Sequence, residues 1–314
     1  MSRHRSGTPT LPPAGVVARP PTTDLVLLGV GVVAVSTSGP LITAAAAPAL
    51  AIAFWRNALG AAAVLPFALA RHRGELTALT RREWGLAVAA GALLAAHFAT
   101  WIPSLSYTSV ASSLALTATQ PVWAALLARA GGHRVPARSW LGMGLAVVGV
   151  VVLTGVDFSL SARALAGDLL ALVGGVFAAA YMTVGGSVRR SVSTTAYTAL
   201  CYSVAAGLLL AVALAAGARL GGYDGRTWLI LLALTGGAQL LGHSVFNRVL
   251  RTTSATVVSL AILFEVPGGA LLAAAWLGQT PPLAALPAAA LLLAGIGVVV
   301  GSRDRATAPA IPAE

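Results

Sequence analysis

A chain of 314 residues with 57% hydrophobic and only 9% charged residues has too little polar material to coat a water-soluble globule, about a quarter of which is normally charged. Its formal charge of +11 does not make it a nucleic-acid binder, because the basic residues, all arginine, fall in short clusters between apolar runs rather than in a stripe with interleaved aromatics. The uncharged runs Trp84 to Ala128, Ser191 to Ala218 and Val266 to Ser302 each exceed the roughly 20 residues that cross a bilayer core, so lipid is the expected solvent.

In chain order, residues 1–23 carry Pro, Thr and Arg without a long apolar core and lead straight into a full-length span. They read as a disordered tail, not a cleaved signal peptide. Spans are expected near Leu25–Thr43, Pro48–Ala70, Trp84–Ser104, Val110–Ala128 and Ser139–Gly155, and then near Leu169–Val188, Ala196–Ala216, Trp228–Asn247, Ala255–Leu277 and Leu283–Gly301. Helices are the default, since every backbone group must be satisfied inside its own segment once water is gone, and the alternation of a membrane barrel is absent.

Several polar side chains interrupt these runs. Arg56, about eight residues into the second span, either snorkels to the outer interface or holds a carboxylate or an anionic substrate. His97 and His243 take roughly equivalent places in the third and eighth spans, where an imidazole either packs through hydrogen bonds or relays a proton and lines a pore. Trp101, Tyr181 and Asn247 are further candidates, although Trp and Tyr near interfaces usually serve as anchors. Cys201 is the single cysteine, which excludes an intramolecular disulfide and a Cys-rich metal site and points to inert packing.

The ninth span holds the sharpest signal. Glu265 is expected near the bilayer midplane, as the only acid well inside a span, where a carboxylate must be protonated, paired or turned toward a wet cavity. Pro267 follows, and its missing N–H should free the carbonyl of Leu263 and break the helix. Gln120 and Pro121 occupy the matching place in the fourth span and should free the carbonyl of Thr117. Two broken helices beside an acid and an amide suit a substrate or coupling-ion site; the alternative is a packed kink in which Glu265 fixes the bundle by hydrogen bonding. Spans five and ten carry Gly142, Gly149, Gly295 and Gly297 without ionisable side chains and read as close-packed scaffold, available for a homodimer contact.

With the N-terminus in the cytoplasm, sixteen of the twenty arginines face inward, Arg163, Arg219 and Arg226 face outward, and Arg56 lies within a span. That bias favours two cytoplasmic termini. The two halves also match at an offset of about 145 residues: "SYTSVASSLALTATQPVWAALLA" from Ser106 aligns with "RTTSATVVSLAILFEVPGGALLA" from Arg251. Five spans per half place the halves in opposite orientation, an architecture of secondary transporters. The expected layout is an all-α membrane protein with a cytoplasmic tail at 1–23, five-helix repeats at 24–156 and 157–301, and a second cytoplasmic tail at 302–314.

The stretches "FWRN" from Phe54, "GDLLALVGGVFAAAYMTVGGSVRR" from Gly167 and "LLGHSVFNRVLRTTSATVVSLAILFEVPGGALLAAAWLG" from Leu240 resemble the EamA-like transporters of the drug/metabolite transporter superfamily, over nearly the whole chain from Asp24 to Gly301. The resemblance implies two five-helix repeats and the export or exchange of small metabolites. Many members carry a Leu-Gly-Glu triplet after the fourth and ninth spans. This chain has Gly132-His133-Arg134 and Gly278-Gln279-Thr280 instead, so no role of that glutamate carries over. No nucleophile elbow, phosphate-cradling loop, His/Cys cluster or HExxH motif appears at usable spacing. The expected function is thus alternating-access transport of a small molecule across the plasma membrane, with coupling to protons through Glu265 as one reading, without cofactor or metal. A lipid-modifying membrane enzyme and a non-transporting structural subunit are the rival readings.

Overall fold

In a computed structural model, residues 21–132, 134–189, 191–249 and 255–307 are described; the two expected tails fall mostly outside them. Among the described residues ten helices are long and apolar enough to cross a membrane. Span one is formed by α1 (Thr22–Ser36) and α2 (Ser38–Ala44), span two by α3 (Ala49–Arg71), and a short α4 (Arg73–Ala78) leads to span three, α5 (Arg81–Ser104). Span four is α6 (Val110–Thr117) plus α7 (Gln120–Ala130), span five is α8 (Ala137–Leu160), span six is α9 (Ala162–Val188) and span seven is α10 (Thr194–Ala215). Span eight joins α11 (Gly225–Ala233), a π-helical segment (Leu234–Gly242) and α12 (His243–Val249); span nine is α13 (Ala255–Ile262) plus α14 (Glu265–Leu277); span ten is α15 (Ala285–Thr307).

Local chemistry sets where these helices begin. Thr80 and Glu83 form a reciprocal capping box at the start of α5, and the side chains of Ser109, Ser161, Ser193 and Asp224 accept first-turn N–H groups of α6, α9, α10 and α11, satisfying donors that a helix leaves open. Gly278 ends α14 with φ of 66°, a left-handed backbone that only glycine adopts at no steric cost. Large apolar side chains such as Leu141, Val151, Leu229 and Leu271 remain exposed on the outer faces, as lipid-facing surfaces must be.

The helices pair as a pseudo-two-fold axis requires. Span two packs on span seven, span four on span nine and span five on span ten, each the repeat mate of its partner, while the three–six contact is mirrored by span one against span eight. Close approach depends on glycine. A Cβ added at Gly142 would lie 2.6 Å from the Gly295 carbonyl oxygen, one at Gly149 would lie 2.6 Å from the Leu292 nitrogen, and one at Gly295 would lie 2.5 Å from the Ala146 nitrogen. Gly142, Gly149 and Gly295 are therefore consumed inside the chain, and a homodimer contact would have to use other positions.

Two sequence expectations change. The connection between spans five and six, expected from about Gly155 to Leu169, shrinks to Ser161 between α8 and α9. Asp157 and Asp168 thereby enter helices with 5% and 0% exposure, so Glu265 is not the only acid within a span and span five is not free of ionisable groups. Asp24, near the start of α1, is also buried and lies 144 residues before Asp168, at the equivalent place in the first repeat.

Candidate functional site

The buried polar centre is assembled from both repeats. Arg56 on α3 is 3% exposed and donates from Nε to Oε1 of Gln239 at 2.8 Å. Its guanidinium lies 4.2 Å from the centroid of the Phe98 ring and 6.0 Å from that of Trp101, so two rings on one face of α5 hold it by cation–π attraction. Tyr202 on α10 and Glu265 on span nine both lie within electrostatic reach of Arg56. Snorkelling, one of the two readings of Arg56, does not occur: the side chain is directed into the bundle.

Gln239 reaches this centre through the π-helical segment. An extra residue per turn shifts the register of span eight relative to its mate in span three, which stays α-helical, and π segments commonly serve to re-aim side chains. Gly236 and Gly237 lie within the segment, with no Cβ to resist the wider turn. On the facing helix Gly60 supplies the room, since a Cβ there would lie 2.8 Å from Gln239 Nε2 and 3.1 Å from the Tyr202 ring. Gln239 and Tyr202 were not singled out from the sequence, although an amide following a glycine pair in mid-span was a readable signal for the first.

Both expected helix breaks are present. Span nine is interrupted at Leu263–Phe264 and Glu265 opens α14, where the positive end of a helix dipole favours a carboxylate. The Leu263 carbonyl, freed from Pro267, accepts instead from the Val266 N–H at 3.2 Å. Span four is interrupted at Ala118–Thr119, with half-buried Gln120 opening α7. There the Thr119 hydroxyl donates to the Leu116 carbonyl at 2.6 Å and accepts from Trp123 Nε1 at 2.9 Å, while the Thr117 carbonyl faces Gly175 of α9. Pro121 and Pro267 thus sit in the first turns that restart the helices, where a missing N–H costs little.

His97 is half-buried, with Nδ1 2.9 Å from the Gly174 carbonyl, which fixes Nδ1 as the protonated nitrogen. Its ring stacks on Trp101 with centroids 5.6 Å apart. Tyr181 lies against Tyr197, Cys201 and Tyr202, beside the centre. The side chains of His243 and Asn247 lie outside the described residues.

Two buried nitrogens in this centre reach no hydrogen-bond partner, Arg56 Nη1 and Trp101 Nε1, while the Gln239 side chain also lies within hydrogen-bonding range of Tyr202. Away from it, Gln279 Oε1 accepts from the Val110 N–H at 3.2 Å. The Gln279 amide therefore caps α6, tying the connection after span nine to the start of span four.

Ten spans in two inverted five-helix repeats, closed around a polar centre to which both repeats contribute, define an all-α polytopic membrane protein. The chain belongs to the EamA-like transporter family, whose model matches it twice, over residues 23–155 and 165–301. It is a membrane transporter. Fifteen chains of solved structures match it; one, described only as "Crystal structure of protein", has a TM-score of 0.62 at 20% identity, covering 88% of this chain and 97% of its own, and supports the fold alone. No curated protein matches the chain.

Proposed function

We propose that the protein is an alternating-access secondary transporter of the plasma membrane, with both termini cytoplasmic, that exports or exchanges a small metabolite or drug-like molecule. The carrying observation is the convergence of Arg56 and Trp101, each with an unpaired buried N–H, and of Gln239 beside Glu265 at the break of span nine. Unpaired donors in a low-dielectric centre are costly unless a ligand satisfies them, so the substrate carries an acceptor-rich group, such as a carboxylate, with its apolar part against Phe98 and Trp101. Glu265 faces either a cationic part of the substrate or a coupling proton. Exchange of the two repeat conformations would move this centre from one side to the other.

The reading as an enzyme has less support, because a lipid-modifying site needs acids or histidines clustered near one interface. Among the described residues no three His, Cys, Asp or Glu side chains stand together so as to hold a metal ion. The test is transport by reconstituted protein with Glu265→Gln, which keeps size and hydrogen bonding but removes titration. Proton-driven accumulation should be lost and residual exchange should lose its pH dependence at normal protein levels. Unchanged pH dependence in Glu265→Gln, with Glu265→Ala failing to fold, would make the residue a structural hydrogen-bonding group.

A further inference from the structure

The connection between spans seven and eight, residues 216–224, runs from Ala215 at the end of α10 to Gly225 at the start of α11, and it is bonded to span two of the other repeat. Trp55, in the second turn of α3, donates from Nε1 to the Leu220 carbonyl at 2.7 Å. Its ring meets Trp228 of α11 edge-on with centroids 4.9 Å apart and lies 4.8 Å from Phe54, and Trp228 in turn lies 5.7 Å from Tyr223. Within the connection the Tyr223 hydroxyl donates to the Arg219 carbonyl, and the Arg219 guanidinium lies 5.6 Å from the Tyr223 ring.

Two features make this contact a closure rather than a packed seam. Gly217 and Gly222 bracket Leu220 with φ of 64° and 73°, a left-handed backbone that other side chains resist, and an added Cβ at either glycine meets nothing within 4 Å. The segment therefore turns at two points that stand in open space. The same junction also recurs at the opposite end of the bundle. Glu75, in the connection between spans two and three, accepts from the Ser193 hydroxyl at the start of span seven, and Leu220, 145 residues after Glu75, accepts from Trp55 near the start of span two. At each end the connector of one repeat is thus tied to the second helix of the other. With both ties made the polar centre is closed, Arg56 being 3% and Trp101 5% exposed.

We infer that, given the alternating access and the orientation proposed above, the connection 216–224 is the outer gate of the transporter and the Trp55 indole is the latch that holds it shut. A single neutral hydrogen bond in competition with water shifts an equilibrium only about two- to tenfold, so the latch yields readily. Donor and acceptor are both uncharged, so it yields independently of pH, unlike the Glu75 tie at the other end. Trp55 and Arg56 are successive residues of one helix, about 100° apart around its axis, which directs the indole to the connection and the guanidinium into the centre. A shift of this part of α3 that repositions Arg56 on a ligand therefore also moves the latch.

The test uses the full chain with Cys201→Ala, in right-side-out membrane vesicles and in lipid nanodiscs. Gly221→Cys should be modified by an impermeant thiol reagent added outside; modification from the cytoplasmic side alone would overturn the proposed orientation, and with it the assignment of this end as the outer one. Spin labels at Ala46 and Gly221 should report a short distance at neutral and acidic pH alike. Trp55→Phe keeps a ring but lacks the N–H, and should raise the ratio of a longer to the short distance roughly two- to tenfold, while labels at Arg73 and Thr195 at the inner end keep their short distance. Phe98→Cys, in the centre, should react with the external reagent faster by the same factor when Trp55→Phe is added, which a loosened loop alone would not produce. Should Trp55→Phe fail to fold, Trp228→Leu, which removes the edge contact beside the indole, carries the same expectations. A longer outer distance without faster reaction at the centre, or no change in either while Gly221→Cys is still modified from outside, would overturn the gate and leave the proposed transport function standing.

Discussion

Arg56 makes one hydrogen bond, to Gln239, and two ring contacts, and leaves Nη1 unpaired. Lysine keeps the charge but not the planar fork, so Arg56→Lys cannot hold Gln239, face Phe98 and offer a further N–H at once. Loss of a buried hydrogen bond to a charged group, about 1.5–3 kcal/mol, predicts transport by Arg56→Lys roughly ten- to hundredfold below that of the unmodified protein in proteoliposomes, at normal membrane levels. Gln239→Leu should reproduce much of that loss, and the double variant should lose less than the sum, because the two residues act as one unit. Additive losses would mean that Gln239 contributes independently of Arg56. The sequence supplied Arg56, Glu265, His97 and Trp101 because charge or aromaticity inside an apolar run is conspicuous. Gln239 escaped notice because its aim depends on a π register, which no periodicity in the sequence encodes.

At the scale of helices, the same glycine-rich composition plays two roles that only the geometry separates. Gly149 and Gly295 meet the backbone of the opposing span directly, whereas Gly144 and Gly155 have nothing within 4 Å of an added Cβ. Overpacking costs about 1–3 kcal/mol where neighbours can shift, and backbone cannot shift as a side-chain tip can. Gly149→Leu and Gly295→Leu should therefore lower Tm and the yield of monodisperse protein, while Gly144→Leu and Gly155→Leu should behave like the unmodified chain; equal tolerance at all four positions would remove the seam between spans five and ten. The helix breaks at Glu265 and Gln120 were legible because proline cannot continue a hydrogen-bond ladder. The lengthening of spans five and six was not, since Asp157 and Asp168 read as loop residues by polarity. Their burial depends on hydroxyls from spans four and five and from the turn before span four, which only the packed bundle brings together.

Across the whole molecule, the proposed alternating access requires contacts between repeats that can be made and broken, and the arginine-rich end of the bundle carries candidates for them. Glu75 on α4, in the first repeat, accepts from both the backbone N–H and the hydroxyl of Ser193 at the start of span seven, the latter at 2.6 Å, and lies 3.2 Å from His72 Nδ1. Glu83 accepts from the Ser191 hydroxyl at 2.5 Å. The Ser193 hydroxyl first, and then its N–H, hold the Glu75 carboxyl below its usual range. A depressed carboxylate pKa means that the latched form binds fewer protons than the released one. The latch is thus fully favoured above the ordinary carboxylate pKa and weakens as pH falls toward the depressed value. Because the group is partly exposed to solvent, the effect is modest and screened by salt. Spin labels at Arg73 and Thr195 in a Cys201→Ala background should report one short distance at neutral pH and a growing longer population as the medium is acidified below the usual carboxylate range. Glu75→Gln should populate the longer distance already at neutral pH and lose the acid response, and faster exchange should accompany release if opening this end limits turnover. A single pH-independent distance in both proteins would mean that these hydrogen bonds are a fixed part of the bundle and that the two repeats separate elsewhere.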